Sequence, residues 1–141
     1  MLTAEQLREM ESSRRKALED TDKEQHLKLL EQRQREIDEA RNSHLDKPHW
    51  KKIIESMEAA AKNGERECQV VTFPSDICTD SGRAINSNTA EWPATLQGEA
   101  AEIYQAWSSE LAGLGYKLAA RVLTFPDGMP GDIGLFIAWG G

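Results

Sequence analysis

From Leu2 to about Asn42 the chain runs without a glycine or proline, in a composition dominated by Glu, Lys, Arg, Gln, Ala and Leu. These are strong helix formers, and such a run has few ways to order itself other than as helix. Leu2-Thr3-Ala4-Glu5-Gln6-Leu7 carries a start signal. Thr3 and Gln6 have capping-box spacing, and Leu2 is placed to staple onto Leu7. Thr21-Asp22-Lys23-Glu24 repeats the box. The repeat predicts a charged arm of two or three helices over residues 1–45, with a break near Asp20–Thr21.

The arm's apolar positions are few. Leu7, Met10, Ala17 and Leu18 form one patch, and Leu27, Leu30 and Ile37 form another at spacings of 3 and 7. Within each patch the spacing suits a coiled-coil seam. The two differ in phase, however, and Arg14 and Gln34 occupy seam positions, which argues against a strong autonomous coiled coil. Leu7, Met10, Leu27, Leu30 and Ile37 are accordingly the candidate interface, facing the chain's own domain, a second copy or a partner. Charges of both signs are interspersed, unlike a basic membrane-surface helix.

A second helix is expected over residues 48–63, with Pro48 in its first turn and Asn63-Gly64 as its C-terminal cap. Trp50, Ile53, Ile54, Met57 and Ala61 give it an apolar stripe. His26, His44 and His49 all lie in this half without metal-ligand spacing and read as surface or capping residues, so no metal or other cofactor is expected.

The remainder has a different composition. Residues 1–66 hold 14 basic and 15 acidic side chains, whereas residues 67–141 hold 3 and 9, so nearly all of the net charge of −7 belongs to the second part. That balance disfavours nucleic acid, whose phosphates need a basic face. Two cysteines do not make a disulfide framework, and the N-terminus carries no signal-peptide pattern, so a cytoplasmic setting is the expectation. No segment has the apolar length of a membrane span.

Within 46–141 the pattern predicts a compact β-α-β-β unit, making the chain α+β overall. Residues 67–73 form a strand stopped by Pro74. Residues 93–112 form a helix striped by Leu96, Ala100, Ile103, Trp107 and Leu111, and 116–139 a hairpin. The helical connection between the first two strands favours a parallel pair, hence a three-stranded mixed sheet. Both faces of that sheet read as apolar, and the 93–112 helix covers only one. The Trp50–Ala61 stripe and a second copy of the chain are the candidate covers for the other.

One echo stands out. Val70-x-Thr72-Phe73-Pro74 with Asp80, Gly82 and Ile85 recurs 52 residues later as Val122-x-Thr124-Phe125-Pro126 with Asp132, Gly134 and Ile137. Read geometrically, both Phe-Pro exits lie at one end of the sheet with their loops facing each other. Open α/β sheets bind ligands at such strand ends. Asp76, Cys78, Asp80, Arg83 and Asp132 are therefore the candidate ligand-binding rim, with Asp127 beside them. Arg83 is a possible anion clamp and Cys78 a possible nucleophile, although no histidine in this half offers it a base.

Phosphate-loop, dinucleotide and nucleophile-elbow motifs are absent. Gly140-Gly141 follows a strand too closely to serve as a carrier tail. The sequence thus points first to a non-enzymatic interaction or structural subunit whose arm self-associates or docks on a protein partner. A small-molecule binder or enzyme using the rim is the alternative, and an acidic inhibitor protein the third reading.

Overall fold

The computed structural model describes residues 1–140; Gly141, the second member of the terminal Gly-Gly pair, lies outside the described residues. The chain divides into two units, Met1–Glu36 and Ile37–Gly141. Among the described residues no helix is long and apolar enough to cross a membrane.

Helix α1 spans Ala4–Arg41. Its start is the capping box read from the sequence: Thr3 N donates to Gln6 Oε1 (2.9 Å) and Gln6 N to Thr3 Oγ1 (3.2 Å). The expected break at Asp20–Thr21 does not occur. Thr21 turns its hydroxyl back onto the Ala17 carbonyl at 2.9 Å, the bond a threonine makes inside a helix. With the hydroxyl so engaged, no cap forms and the arm is one helix.

The second unit begins inside α1, since Ile37 is only 5% exposed and belongs to the hydrophobic core. The expected boundary at residue 45 therefore moves N-terminally to 36/37. Helix α2 (Lys47–Lys62) starts at Asp46, whose side chain accepts from His49 N, and carries Pro48 in its first turn. Strand β1 (Glu67–Pro74) follows, with an irregularity between Gln69 and Val71 that sets Val70 out of register. A single helical turn, α3 (Arg83–Asn86), interrupts the polar stretch expected to be irregular. Pro93 opens a short 3-10 turn rather than the long helix, and α4 runs Gly98–Glu110. Strands β2 (Lys117–Val122) and β3 (Asp132–Ala138) form the hairpin.

The sheet order is β1-β3-β2, with both pairings antiparallel. This corrects the expected mixed sheet. β1 and β2 do run in the same direction, as a helical crossover demands, but β3 lies between them. The reason is legible in β3 itself. Ile133, Leu135 and Ile137 are wholly buried on one face, while Gly134, Phe136 and Ala138 leave little to solvate the other. A strand so apolar on both faces takes the centre of a sheet.

The core packs onto the Ile133/Leu135/Ile137 face. Ala100, Ile103 and Leu111 join it from α4 and its end, Ile53 and Met57 from α2, Phe73 from β1, and Ile37 from the end of α1. Trp107 is fixed by donating its indole N–H to the Tyr116 carbonyl. Both expected apolar stripes thus serve one core, and the Trp50–Ala61 stripe does not cover the second face. That face has a polar cover of its own. The Arg121 guanidinium lies 4.3 Å above the Phe136 ring and is held there by two bonds to Glu67, at 2.7 and 2.5 Å. Gln69 donates to Thr72 alongside. A cation over an aromatic face, pinned by a bidentate carboxylate, lets Phe136 remain half-solvated.

Candidate interaction surfaces

The predicted ligand rim is positioned by the two Phe-Pro exits, which do converge across the start of β3. Ser75 N donates to the Gly131 carbonyl (2.8 Å) and Ser75 Oγ to that of Pro130 (2.7 Å). Gly131 N and Asp132 N are taken by Thr124, through its carbonyl and hydroxyl oxygens respectively. The meeting point is packed solid: a Cβ at Gly82 would lie 3.1 Å from Ile133, 3.2 Å from Ser75 and 3.5 Å from Pro130. The two Phe-Pro loops read from the echo do meet, and at Gly82 side chains pack closely between them.

The rim's chemistry turns inward or away. Cys78 is 4% exposed, and burial pushes its thiol up to about 11, aided by Asp80 and Asp76 and opposed by a hydrogen bond with Thr95. A thiol so buried is a core side chain, not an activated nucleophile. Asp80 spends both carboxylate oxygens on its own loop, accepting from Gly82 N (3.0 Å) and Ala84 N (2.8 Å) and thereby starting α3. Arg83 is exposed on α3. Asp76 is exposed in the turn after β1, and its carbonyl accepts from Arg41. Asp132 is half-buried at the start of β3. Two hollows lie elsewhere. One of about 520 Å³ sits beside Pro93 and Tyr104, and one of about 390 Å³ between α3 and β2 near Phe125; neither is lined by a rim residue. Among the described residues, no group of three or more His, Cys, Asp or Glu side chains is placed to hold a metal ion.

The arm presents the contrasting surface. Of the five predicted interface residues, Leu7, Met10, Leu27 and Leu30 are 53–59% exposed, and Leu18 and Leu29 are as open. Ile37 alone is buried, because the 3- and 7-residue spacing that suits a seam also suits packing on a core. No residue of Met1–Glu36 is buried. The helix is supported along its surface by Glu11–Arg15 (2.7 Å), Glu24–Lys28 (3.6 Å) and Arg33–Glu36 (3.9 Å). Such exposed pairs each contribute only a few tenths of a kcal/mol.

The end of α1 is fastened by contacts the sequence did not disclose. Ser43 Oγ donates to the Ala40 carbonyl and accepts from Glu99 N at the start of α4. His44 Nδ1 lies 2.9 Å from Glu102, which also accepts from Leu45 N, and His49 Nδ1 lies 2.6 Å from Glu99. The bonds from His44 and Leu45 hold the Glu102 carboxyl below its usual range. Burial pushes Glu99 upward against the pull of His49. These partners on α4 lie 50 to 58 residues away in sequence, and no local pattern announces them. The two histidines thus secure the start of α2 to α4. Compared with known proteins, the chain matches no family model, no curated protein and no solved structure.

Proposed function

We propose that the protein is a non-enzymatic interaction subunit in which the arm docks on another polypeptide while residues 37–140 form the folded body that carries it. The observation behind this reading is the arm itself: 36 residues with none buried, and Leu7, Met10, Leu18, Leu27, Leu29 and Leu30 all open to solvent. Exposed leucines at this density are a cost to an isolated helix, removed when another surface covers them. The state of the rim weighs in the same direction, since Cys78 is buried and Asp80 is committed to its own loop.

A photo-crosslinking side chain placed at Leu18, with a control at Lys62 on α2, tests the reading in the native extract. Adducts formed from Leu18 and not from Lys62, whether with a second copy or a foreign polypeptide, are expected. No adduct from Leu18, or the same adducts from both positions, would count against an interacting arm.

A further inference from the structure

Two sets of apolar residues share the arm, and one has a longer period than the heptad. Leu7, Leu18 and Leu29 stand 11 residues apart. Eleven residues are close to three whole turns, so these side chains rise along one nearly straight line of the helix. All three are open, at 53%, 58% and 65% exposure. The charges around the middle leucine change sign across it. Arg14, Arg15 and Lys16 precede Leu18; Glu19, Asp20 and Asp22 follow it. Arg15 is engaged one turn back by Glu11. Among the described residues, Arg14, Lys16, Asp20 and Asp22 form no ion pair.

We propose that the arm's occupant is a second copy of this chain, laid antiparallel so that the two arms cross at Leu18; this deepens, and rests on, the reading of the arm as an interface. In that alignment Leu18 meets its own counterpart, and Leu7 meets Leu29 at either end. Arg14 and Asp22, one turn either side of Leu18 on the leucine face, come opposite each other, their numbers also summing to 36. A parallel, in-register pair would instead set Arg14 against Arg14 and Asp22 against Asp22. Like charges face to face are a strong device against a wrong alignment. The antiparallel overlap takes in residues 1–35 of each chain and ends where the folded unit begins, at Ile37. Three leucine layers spaced roughly 16 Å apart are a thin apolar core, so pairing is weak and salt weakens it further.

Sedimentation equilibrium on the purified full chain and disulfide mapping in a Cys68→Ser background test this. At protein concentrations up to roughly 0.3 mM, where weak interfaces fill, the chain is expected to reach the mass of a dimer, and added salt to lower that mass. Under copper-phenanthroline oxidation, Leu18→Cys is expected to link to itself. A mixture of Leu7→Cys and Leu29→Cys should give at least ten times more mixed dimer than either variant gives alone. Asp22→Lys should abolish the dimer. Mixing that variant with Arg14→Glu should restore it. A chain that stays monomeric throughout overturns the proposal, as does self-linking of Leu7→Cys or equal linking in every combination. If the purified chain is monomeric while Leu18 still gives adducts with a foreign polypeptide, this inference alone fails. If Leu18 gives no adduct of any kind, the reading beneath it fails.

Discussion

Gly98 opens α4 in the left-handed region, at φ +64°, directly against the last turn of α1. A Cβ there would fall inside contact distance of the Ala40 carbonyl oxygen and 2.9 Å from that of Arg41. Both obstacles are backbone, so neither can swing aside. Gly98→Ala therefore carries two costs. Holding alanine in the left-handed region costs about 1–2 kcal/mol. Moving α1 off α4 also breaks the bond from Glu99 N to Ser43 Oγ, about 1 kcal/mol more, for a total of about 2–3 kcal/mol. Gly64, at φ +82° with nothing within 4 Å of its Cβ position, supplies the control. Gly64→Ala carries the conformational cost alone. All four tryptophans lie between Trp50 and Trp139, so fluorescence melting reports the folded unit without interference from the arm. For a unit of this size 1 kcal/mol moves Tm by about 4–8 °C. Gly98→Ala should therefore lower Tm by roughly 8–24 °C, about 4–8 °C more than Gly64→Ala. Equal losses in the two variants would refute the argument, because the close approach of α1 to Gly98 would then carry no energy.

Three further outcomes follow from the same geometry. Glu67 is held below its ordinary value of 4.5 chiefly by its hydrogen bond with Arg121, so the pair's stabilisation is present above that value and disappears as pH falls through the depressed folded-state pKa. The Tm difference between the native chain and Arg121→Leu should accordingly be full at neutral pH and shrink below pH 4.5; a difference unchanged into strong acid would contradict it. Alkylation with iodoacetamide under native conditions should modify half-exposed Cys68 and spare Cys78 until the protein is unfolded, and native labelling of Cys78 would remove the case for a core thiol. Asp80→Ala should cost about 1 kcal/mol in denaturant unfolding through loss of the bonds it accepts from Gly82 N and Ala84 N, while exposed Arg83→Ala stays within about 0.5 kcal/mol; the reverse ranking would mean that Arg83, not Asp80, organises the loop.

What could be read beforehand was whatever is encoded locally. Ile53 and Met57 in α2, and Ala100, Ile103 and Leu111 with α4, repeat at helical spacing, and the core holds them all. Thr3 and Gln6 bond each other as their three-residue separation implies. Misreadings arose where one local pattern serves two structures. Thr21 with Glu24 is a cap if the chain bends and a back-bonded hydroxyl if it does not, and neighbouring helix formers decide in favour of the second. Ile37 at seam spacing is an interface residue only if no core lies within reach, and here one does. Strand order was harder, because a crossover fixes the direction of β1 and β2 but leaves open whether they touch. The choice belongs to β3, whose two apolar faces are satisfied only at the centre.

The same distinction explains why the Phe-Pro echo located a meeting of loops without locating a function. An echoed strand end places backbone, and the backbone did come together: Ser75 bonds Pro130 and Gly131 across the start of β3. Whether side chains at such a junction remain available depends on what the loops need in order to stand. Here Asp80 is consumed in building α3, Cys78 in filling the core, and Gly82 in leaving room for Ile133. The arm inverts this relation. It satisfies its backbone internally and buries none of its residues, so its leucines, with Arg14 and Asp22 beside Leu18, are neither packed nor ion-paired within Met1–Glu36. On the reading proposed above, recognition therefore falls to the regular helix and not to the loops.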